Sequence, residues 1–329
     1  MIYDLIIIGA GSAGLSAAIY AGRSLLKTLI IEKSGYGGRV NDTASVINYP
    51  GFSNISGRDI VKEFRNHASA YDTNKFTYGT VEGIEKEGDI FCLKTKRDKK
   101  YYGKAIIIAT GTFSRILNIP GEMEYTGHGV SYCSTCDADN FINKDIHILG
   151  SGDLALDEAD YLSNFCNSIN LLVIHDRGVL DGNAQAQAKL KNNPKISFTW
   201  NCELLGIYGD TKVKQIEYQN LKTGEKNLVA SDGIFIFAGM SPNSSFLEGL
   251  VELDDQKFVK TNEFMQTSVK GIFAAGDVRK KVLRQIVTAA NDGAIATVYA
   301  ERYIRNRSKL WEFFQGLQFY IIRKKPITA

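Results

Sequence analysis

A chain of 329 residues, 44% hydrophobic and 23% charged, has the make-up of an ordinary globular protein with room for two cores or one large one. Its net charge of +3 is too mild to suggest a nucleic-acid partner. The first apolar run, residues 5–8, is too short for a bilayer and follows no basic region or cleavage site, so neither a signal peptide nor a membrane span is expected and the expected location is cytoplasmic.

Residues 3–9 read as a buried parallel strand that ends on Gly9-Ala10-Gly11-Ser12-Ala13-Gly14. Residues 14–24 are rich in small side chains, as a helix packed closely on a sheet requires. Residues 28–32 form a second strand that ends in Glu32, 23 positions after Gly9. Strand, glycine turn, helix and terminal acid together make a dinucleotide fold. The glycines let a pyrophosphate approach a helix N-terminus, and Glu32 can accept hydrogen bonds from a ribose. A further buried strand, residues 105–108, runs into Ala109-Thr110-Gly111-Thr112, and Pro120-Gly121 reads as a linker.

Cys133-Ser134-Thr135-Cys136-Asp137 follows, the one cysteine pair among five with a meaningful spacing. Cys92, Cys166 and Cys202 sit in apolar or strand-like settings and read as small buried hydrophobes. There is no disulfide framework, which suits a reducing compartment, and no second pair of ligands, so no metal is expected. In a Cys-x-x-Cys pair at a helix start, the helix dipole and neighbouring amides stabilise one thiolate. Asp137 is placed to protonate a departing thiolate or to cap a helix.

Beyond Cys136 a second unit opens: a strand over 145–150, the turn Gly150-Ser151-Gly152-Asp153-Leu154-Ala155 that begins fourteen residues after that cysteine, a helix to 165 and a strand over 170–175. Residues 233–239 with Pro242 mark a return to the first domain. Residues 271–277 form another buried strand ending in Gly276-Asp277. His67 and His128 read as surface or loop residues, and His147 as packed within a strand.

This ordered set resembles the low-molecular-weight thioredoxin reductase family over about residues 1–306, through the two glycine turns, Asn48-Tyr49-Pro50-Gly51, the Cys-x-x-Cys-Asp centre, Ala275-Gly276-Asp277-Val278 and Arg284-Gln285-Ile286. The resemblance implies an α/β fold of two Rossmann-like, three-layer ββα dinucleotide-binding domains, similar to the class II pyridine nucleotide-disulfide oxidoreductases. The expected domains are an FAD-binding domain in two parts, 1–115 and 242–306, a central NAD(P)-type domain over 116–241, and a tail over 307–329. It implies a homodimer with one FAD per subunit that reduces the disulfide of thioredoxin. Cys136 would face the flavin, Cys133 would attack the partner disulfide, and Asp137 would serve as the acid. The flavin set expected is Gly9, Gly11, Ser12, Ala13, Gly14, Glu32, Lys33, Gly38, Arg39, Asn48, Val81, Ala109, Thr110, Gly111, Gly276, Asp277, Arg284, Gln285 and Ile286. The family often has Gln where Arg39 stands. The family's central domain rotates between two positions, with hinges expected near 111–121 and 239–242.

One departure bears on the electron donor. Relatives that use NADPH follow the second central strand with His-Arg-Arg-x-x-x-Arg, which clamps the 2′-phosphate. This chain reads His175-Asp176-Arg177-Gly178-Val179-Leu180-Asp181. Each lost arginine–phosphate contact costs roughly 1.5–3 kcal/mol, and a carboxylate some ~5 Å from a dianion adds a similar repulsion. Tight NADPH binding is therefore not expected. Ferredoxin as donor ranks first, and a basic C-terminal segment suits an acidic ferredoxin. NADH ranks second, because Asp176 at the strand end suits a free 2′-hydroxyl, and residual NADPH use ranks below it. An FAD-dependent oxidase of small dithiols is a further alternative. The tail, with Trp311, Phe313 and Phe314, is expected as a short amphipathic helix limited by Gly316 and Pro326, packed on the body or on a second subunit, or else covering the flavin or docking a partner. Attachment to a membrane surface is not expected.

Overall fold

The computed structural model describes the backbone of residues 1–323 and the side chains of residues 1–306. It divides into two compact units, Met1–Thr112 with Pro242–Ala329, and Phe113–Ser241. The central unit is thus inserted whole into the other.

The first unit is built on a sheet of mixed direction. Asn74–Tyr78, Thr28–Glu32, Ile2–Ile8 and Lys100–Ile108 lie parallel in that order. Lys100–Ile108 then changes neighbours along its length. Its half-exposed start pairs antiparallel with Ile90–Thr95, and its buried end, Ile106 to Ile108, pairs parallel with Ile272–Ala274. Leu5, Ile6, Ile7, Ile30, Ile106, Ile107 and Ile108 are almost fully buried, as continuous apolar strands covered on both faces must be. On one face the helix Ser12–Arg23 and the long helix Ile286–Arg323 pack against each other and against the sheet. Small residues permit that approach: a Cβ on Gly293 would lie 2.1 Å from the Ala13 carbonyl oxygen. The Ser16 hydroxyl donates to the Ala290 carbonyl at 2.6 Å and the Thr297 hydroxyl to the Ala17 carbonyl at 3.1 Å. The chain's two ends are therefore joined in one core.

The second unit repeats the plan of a parallel sheet with helices packed on it. Its parallel sheet runs Ile196–Trp200, Ser168–Val173, Asp145–Leu149, Gly233–Ile236, Val130–Ser131. The helices Asp153–Leu162 and Ala184–Lys191 pack in one apolar cluster with this sheet. An antiparallel meander of Cys202–Gly209, Val213–Asn220 and Lys226–Ala230 contributes to a second cluster with Leu172, Ile234 and Ile236. The expected α/β fold with three-layer units is what the chain adopts. Cys92, Cys166 and Cys202 are buried free thiols, as their apolar settings indicated.

Two expectations need correction. The helix expected to be kept short by Gly316 runs on through that residue to Arg323, because a single interior glycine costs only about 1 kcal/mol. The tail's aromatic side chains, from Trp311 on, lie outside the described residues. The strand expected over 170–175 spans Ser168–Val173 instead, which leaves Ile174 and His175 in the loop that follows. Among the described residues no helix is long and apolar enough to cross a membrane.

His147, within the Asp145–Leu149 strand, pairs through Nδ1 with the Ser231 hydroxyl at 2.9 Å. Burial, only partly offset by Asp145, depresses its pKa to about 4. The unfolded chain therefore takes up this proton first as the pH falls below about 6.5, and stability is lost between there and about 4. Going from pH 7 to pH 5 should cost about 2 kcal/mol through this group. The urea midpoint should fall accordingly, and His147→Gln should remove most of that pH dependence.

Candidate active site

In the first unit Gly9, Glu32, Ala109 and Gly276 stand at or just beyond the C-terminal ends of four parallel strands, where open α/β sheets bind ligands. Gly9 holds φ +102° in the turn after Ile2–Ile8, and a Cβ there would lie 2.3 Å from the Ala109 carbonyl oxygen. Gly14 has no room either, since its Cβ would stand 1.9 Å from the Gly9 carbonyl oxygen. Around Gly11, by contrast, a Cβ would meet only the Gly37 carbonyl at 3.7 Å. The backbone is thus locked on the core side and open above Gly11. Ser12 begins the helix and Ala13 packs against Gly276. Glu32 accepts from the Ala10 amide at 2.8 Å and the Ser34 amide at 3.0 Å, so its carboxylate sits beside the glycine turn with lone pairs to spare. Lys33, next along, is exposed.

Gly38 and Arg39 lie in the turn Gly38–Asp42, brought beside the glycine turn by a bridge between Gly11 and Gly37. The Asn48 amide donates to Gln285 Oε1 at 3.2 Å. Val81 lies near Glu32 through the Gly79 amide, which donates to the Glu32 carbonyl at 2.8 Å, and it packs in the core behind the sheet. Ala109 donates its amide to the Ile8 carbonyl at 2.8 Å. Thr110 and Asn243 exchange hydrogen bonds, and Asn243 also donates its amide to the Gly111 carbonyl. Ile286 packs against the core cluster of this face, and Arg284 lies over the Phe258 ring at 4.2 Å.

Three buried polar atoms in this set have no hydrogen-bond partner among the described residues: Ser12 Oγ, Asp277 Oδ1 and Arg284 Nε. Native proteins rarely leave such groups unsatisfied, so water or a polar ligand has to meet them. Burial pushes the Asp277 carboxyl up, opposed by the cations Lys281 and Arg284. Sequence reasoning missed what lies beneath. Asp292, almost fully buried, accepts from Arg279 at 3.0 Å, Lys281 at 2.8 Å and the Gly276 amide at 3.0 Å. Thirteen positions separate Arg279 from Asp292, and no local pattern announces such a cluster.

In the second unit Cys133 and Cys136 are joined as a disulfide, with Cα atoms 5.4 Å apart across the short helix Ser134–Asp137. Cys133 is half-buried and Cys136 exposed. Asp137 is half-buried, and its Oδ2 accepts from the Ser131 hydroxyl at 2.6 Å.

The second glycine turn is differently furnished. Ser151 donates its hydroxyl to Asp181 Oδ2 at 2.7 Å, and the amides of Asp181 and Gly182 both donate to the Ser151 carbonyl. His175 Nε2 lies 2.8 Å from the same Asp181 oxygen. Asp153, in the first turn of its helix, accepts from the Asn183 amide at 2.6 Å and its side chain at 2.8 Å. The loop 176–183 is therefore folded down onto the turn. The Ser151 hydroxyl, outweighing a burial penalty, and then His175 hold Asp181 below the usual carboxylate range. Asp176 is ion-paired with Lys222.

Residues 3–293 match the family of pyridine nucleotide-disulphide oxidoreductases. The chain belongs to this family. It is similar to the thioredoxin reductase of Peptoclostridium acidaminophilum, 40% identical over 310 residues that span 92% of this chain and 97% of that one. It is also similar to the thioredoxin reductase of Lactococcus lactis, whose crystal structure matches with a TM-score of 0.89 at 40% identity, over 92% of this chain and 99% of the other. A ferredoxin-flavin thioredoxin reductase from Clostridium acetobutylicum matches with a TM-score of 0.52 at 28% identity, over 94% and 99% of the two chains. Within its family the chain is of the low-molecular-weight thioredoxin reductase type, an oxidoreductase acting on a sulfur group.

Asp292→Ala should leave Arg279 and Lys281 buried without their counter-ion and cost about 3–5 kcal/mol. Chemical denaturation should show that loss, and Asp292→Asn, which keeps an acceptor for the Gly276 amide, should lose less.

Proposed function

We propose that this chain is an FAD-dependent disulfide reductase that draws electrons from reduced ferredoxin and passes them through Cys133 and Cys136 to a thioredoxin-like disulfide. The flavin would be held by the open backbone at Gly11 and Ser12, by Glu32 on a ribose, and by Asp277 and Arg284, whose unpartnered atoms fit a polar ligand. When bound, FAD supplies the conversion of single-electron transfers into a two-electron reduction. The reduced pair then carries the chemistry. Cys133 attacks the partner disulfide, Asp137 protonates the departing sulfur, and Cys136 resolves the mixed disulfide.

The observation that carries the choice of donor is the Asp181 carboxylate bonded to Ser151 in the second glycine turn. A dinucleotide's phosphates would need that hydroxyl and would meet anions at Asp153 and Asp181 instead of arginines. NADH is the less favoured donor, because Asp176, which would accept from its 2′-hydroxyl, is engaged by Lys222. A homodimer, which the resemblance to the family implies, is part of the same proposal.

Anaerobic reduction of the purified holoprotein, followed at the flavin absorption band, decides between donors. Photoreduced ferredoxin should bleach the band rapidly, while NADPH and NADH at micromolar levels should not. Rapid bleaching by either nucleotide would overturn the donor assignment. Oxidised thioredoxin should restore the band in the native enzyme and fail to do so in Cys133→Ser. Replacing Asp176 and Asp181 together by Arg should raise NADPH affinity by at least tenfold, measured by equilibrium titration.

A further inference from the structure

Resting on the disulfide-reductase reading, we propose that Ser131 is a positioning residue for thiol–disulfide exchange, holding the acid Asp137 in register with the attacking cysteine. Ser131 ends the short strand Val130–Ser131 and is 4% exposed. Its Oγ accepts from the Cys133 amide at 3.1 Å and donates to Asp137 Oδ2 at 2.6 Å, with the Cys133 carbonyl farther off at 3.2 Å. A hydroxyl has one proton to give, and the short bond directs it to the carboxylate. A serine that merely closed a local turn would need only the backbone amide two residues on. Here the same oxygen joins the backbone of the first cysteine, which caps a four-residue helix, to the acid that ends that helix. So short a helix cannot by itself fix the acid's side chain.

The other side of Asp137 faces solvent. Asp137 and Ser131 line a cavity of about 250 Å³ that also presents His128, Lys144, Lys212 and Asp232. Lys144 and Asp232 lie 3.8 Å apart, which partly neutralises both. Asp137 is thus anchored by Ser131 on one side and open to water on the other, as a group that must take up and give away protons requires.

The exchange balances without any other reactant. Cys133 gives its proton to the Asp137 carboxylate as its sulfur bonds to one sulfur of the partner disulfide. The partner S–S bond breaks, and the departing sulfur takes the proton from Asp137. Cys136 then loses its proton and attacks the Cys133 sulfur, which re-forms the Cys133–Cys136 disulfide and frees the second partner sulfur, to which a proton passes. Two electrons and two protons move from the cysteine pair to the partner, and Asp137 ends as it began.

The test uses holoenzyme reduced anaerobically, freed of reductant and mixed with two kinds of disulfide. Oxidised thioredoxin and a dialkyl disulfide release basic thiolates that need a proton. An aromatic disulfide such as 5,5′-dithiobis(2-nitrobenzoate) releases a thiolate stable without one. Ser131→Ala should slow exchange with the first kind about tenfold and leave the second within about twofold, and Ser131→Thr should restore the native rates. Should Ser131→Ala not yield folded holoenzyme, Ser131→Val is compared with its isostere Ser131→Thr in the same way. Equal slowing of both kinds, or slowing of neither, overturns the proposal while leaving the reductase reading intact. A native enzyme that reduces no disulfide of either kind overturns both.

Discussion

The close approach of backbone to backbone around Gly9 and Gly14 governs the first unit. With a Cβ at Gly14 only 1.9 Å from the Gly9 carbonyl oxygen, no other residue lets the helix Ser12–Arg23 start where it does. Because it starts there, its first amides and Ser12 lie at the strand ends, beside Glu32 and against Gly276. The second long helix is fitted to the same surface, through Gly293 on Ala13 and Thr297 on Ala17. Asp292 then sits where it can neutralise Arg279 and Lys281 and hold the Gly276 amide. Packing by the smallest residues thus sets the position of the buried charges.

The two glycine turns, alike in sequence, differ in what stands over them. Among the described residues the first leaves Ser12, Asp277 and Arg284 with buried atoms unsatisfied. The second has its hydrogen bonds met internally, by Asp181 on Ser151 and by Asn183 on Asp153. A fingerprint of glycines describes only the shape of a turn. Whether that turn welcomes an anion depends on the charges nearby, and here acids occupy the positions where a phosphate would look for cations.

How much could be read from the residues alone follows from the range of each interaction. Ile2–Ile8, Thr28–Glu32 and the end of Lys100–Ile108 were legible because buried parallel strands are unbroken apolar runs. The first half of that last strand, Lys100-Tyr101-Tyr102-Gly103, was not, because it faces solvent on one side and pairs antiparallel. The cysteine pair and Asp137 are local and stood out. Ser131, two positions ahead of Cys133, carries no pattern of its own and gains meaning only from a hydrogen bond. Asp292 was hidden for a similar reason: its cationic partners come from a loop an entire helix turn and more away, and ion pairs across tertiary contacts leave no periodicity. Gly316 misled in the opposite sense, since glycine disfavours a helix without forbidding it.

The insertion of one unit inside the other has a bearing on biosynthesis. Ser16 and Ala17 wait for Ala290 and Thr297 before their shared core can close, whereas everything from Phe113 to Ser241 is contiguous. As the polypeptide emerges from the ribosome, the inner unit can complete itself first, since domains generally fold as units. The two cysteines can thus acquire the surroundings their own unit supplies while the outer unit still lacks its last strand and helix, so that the contiguous unit need not wait for the split one.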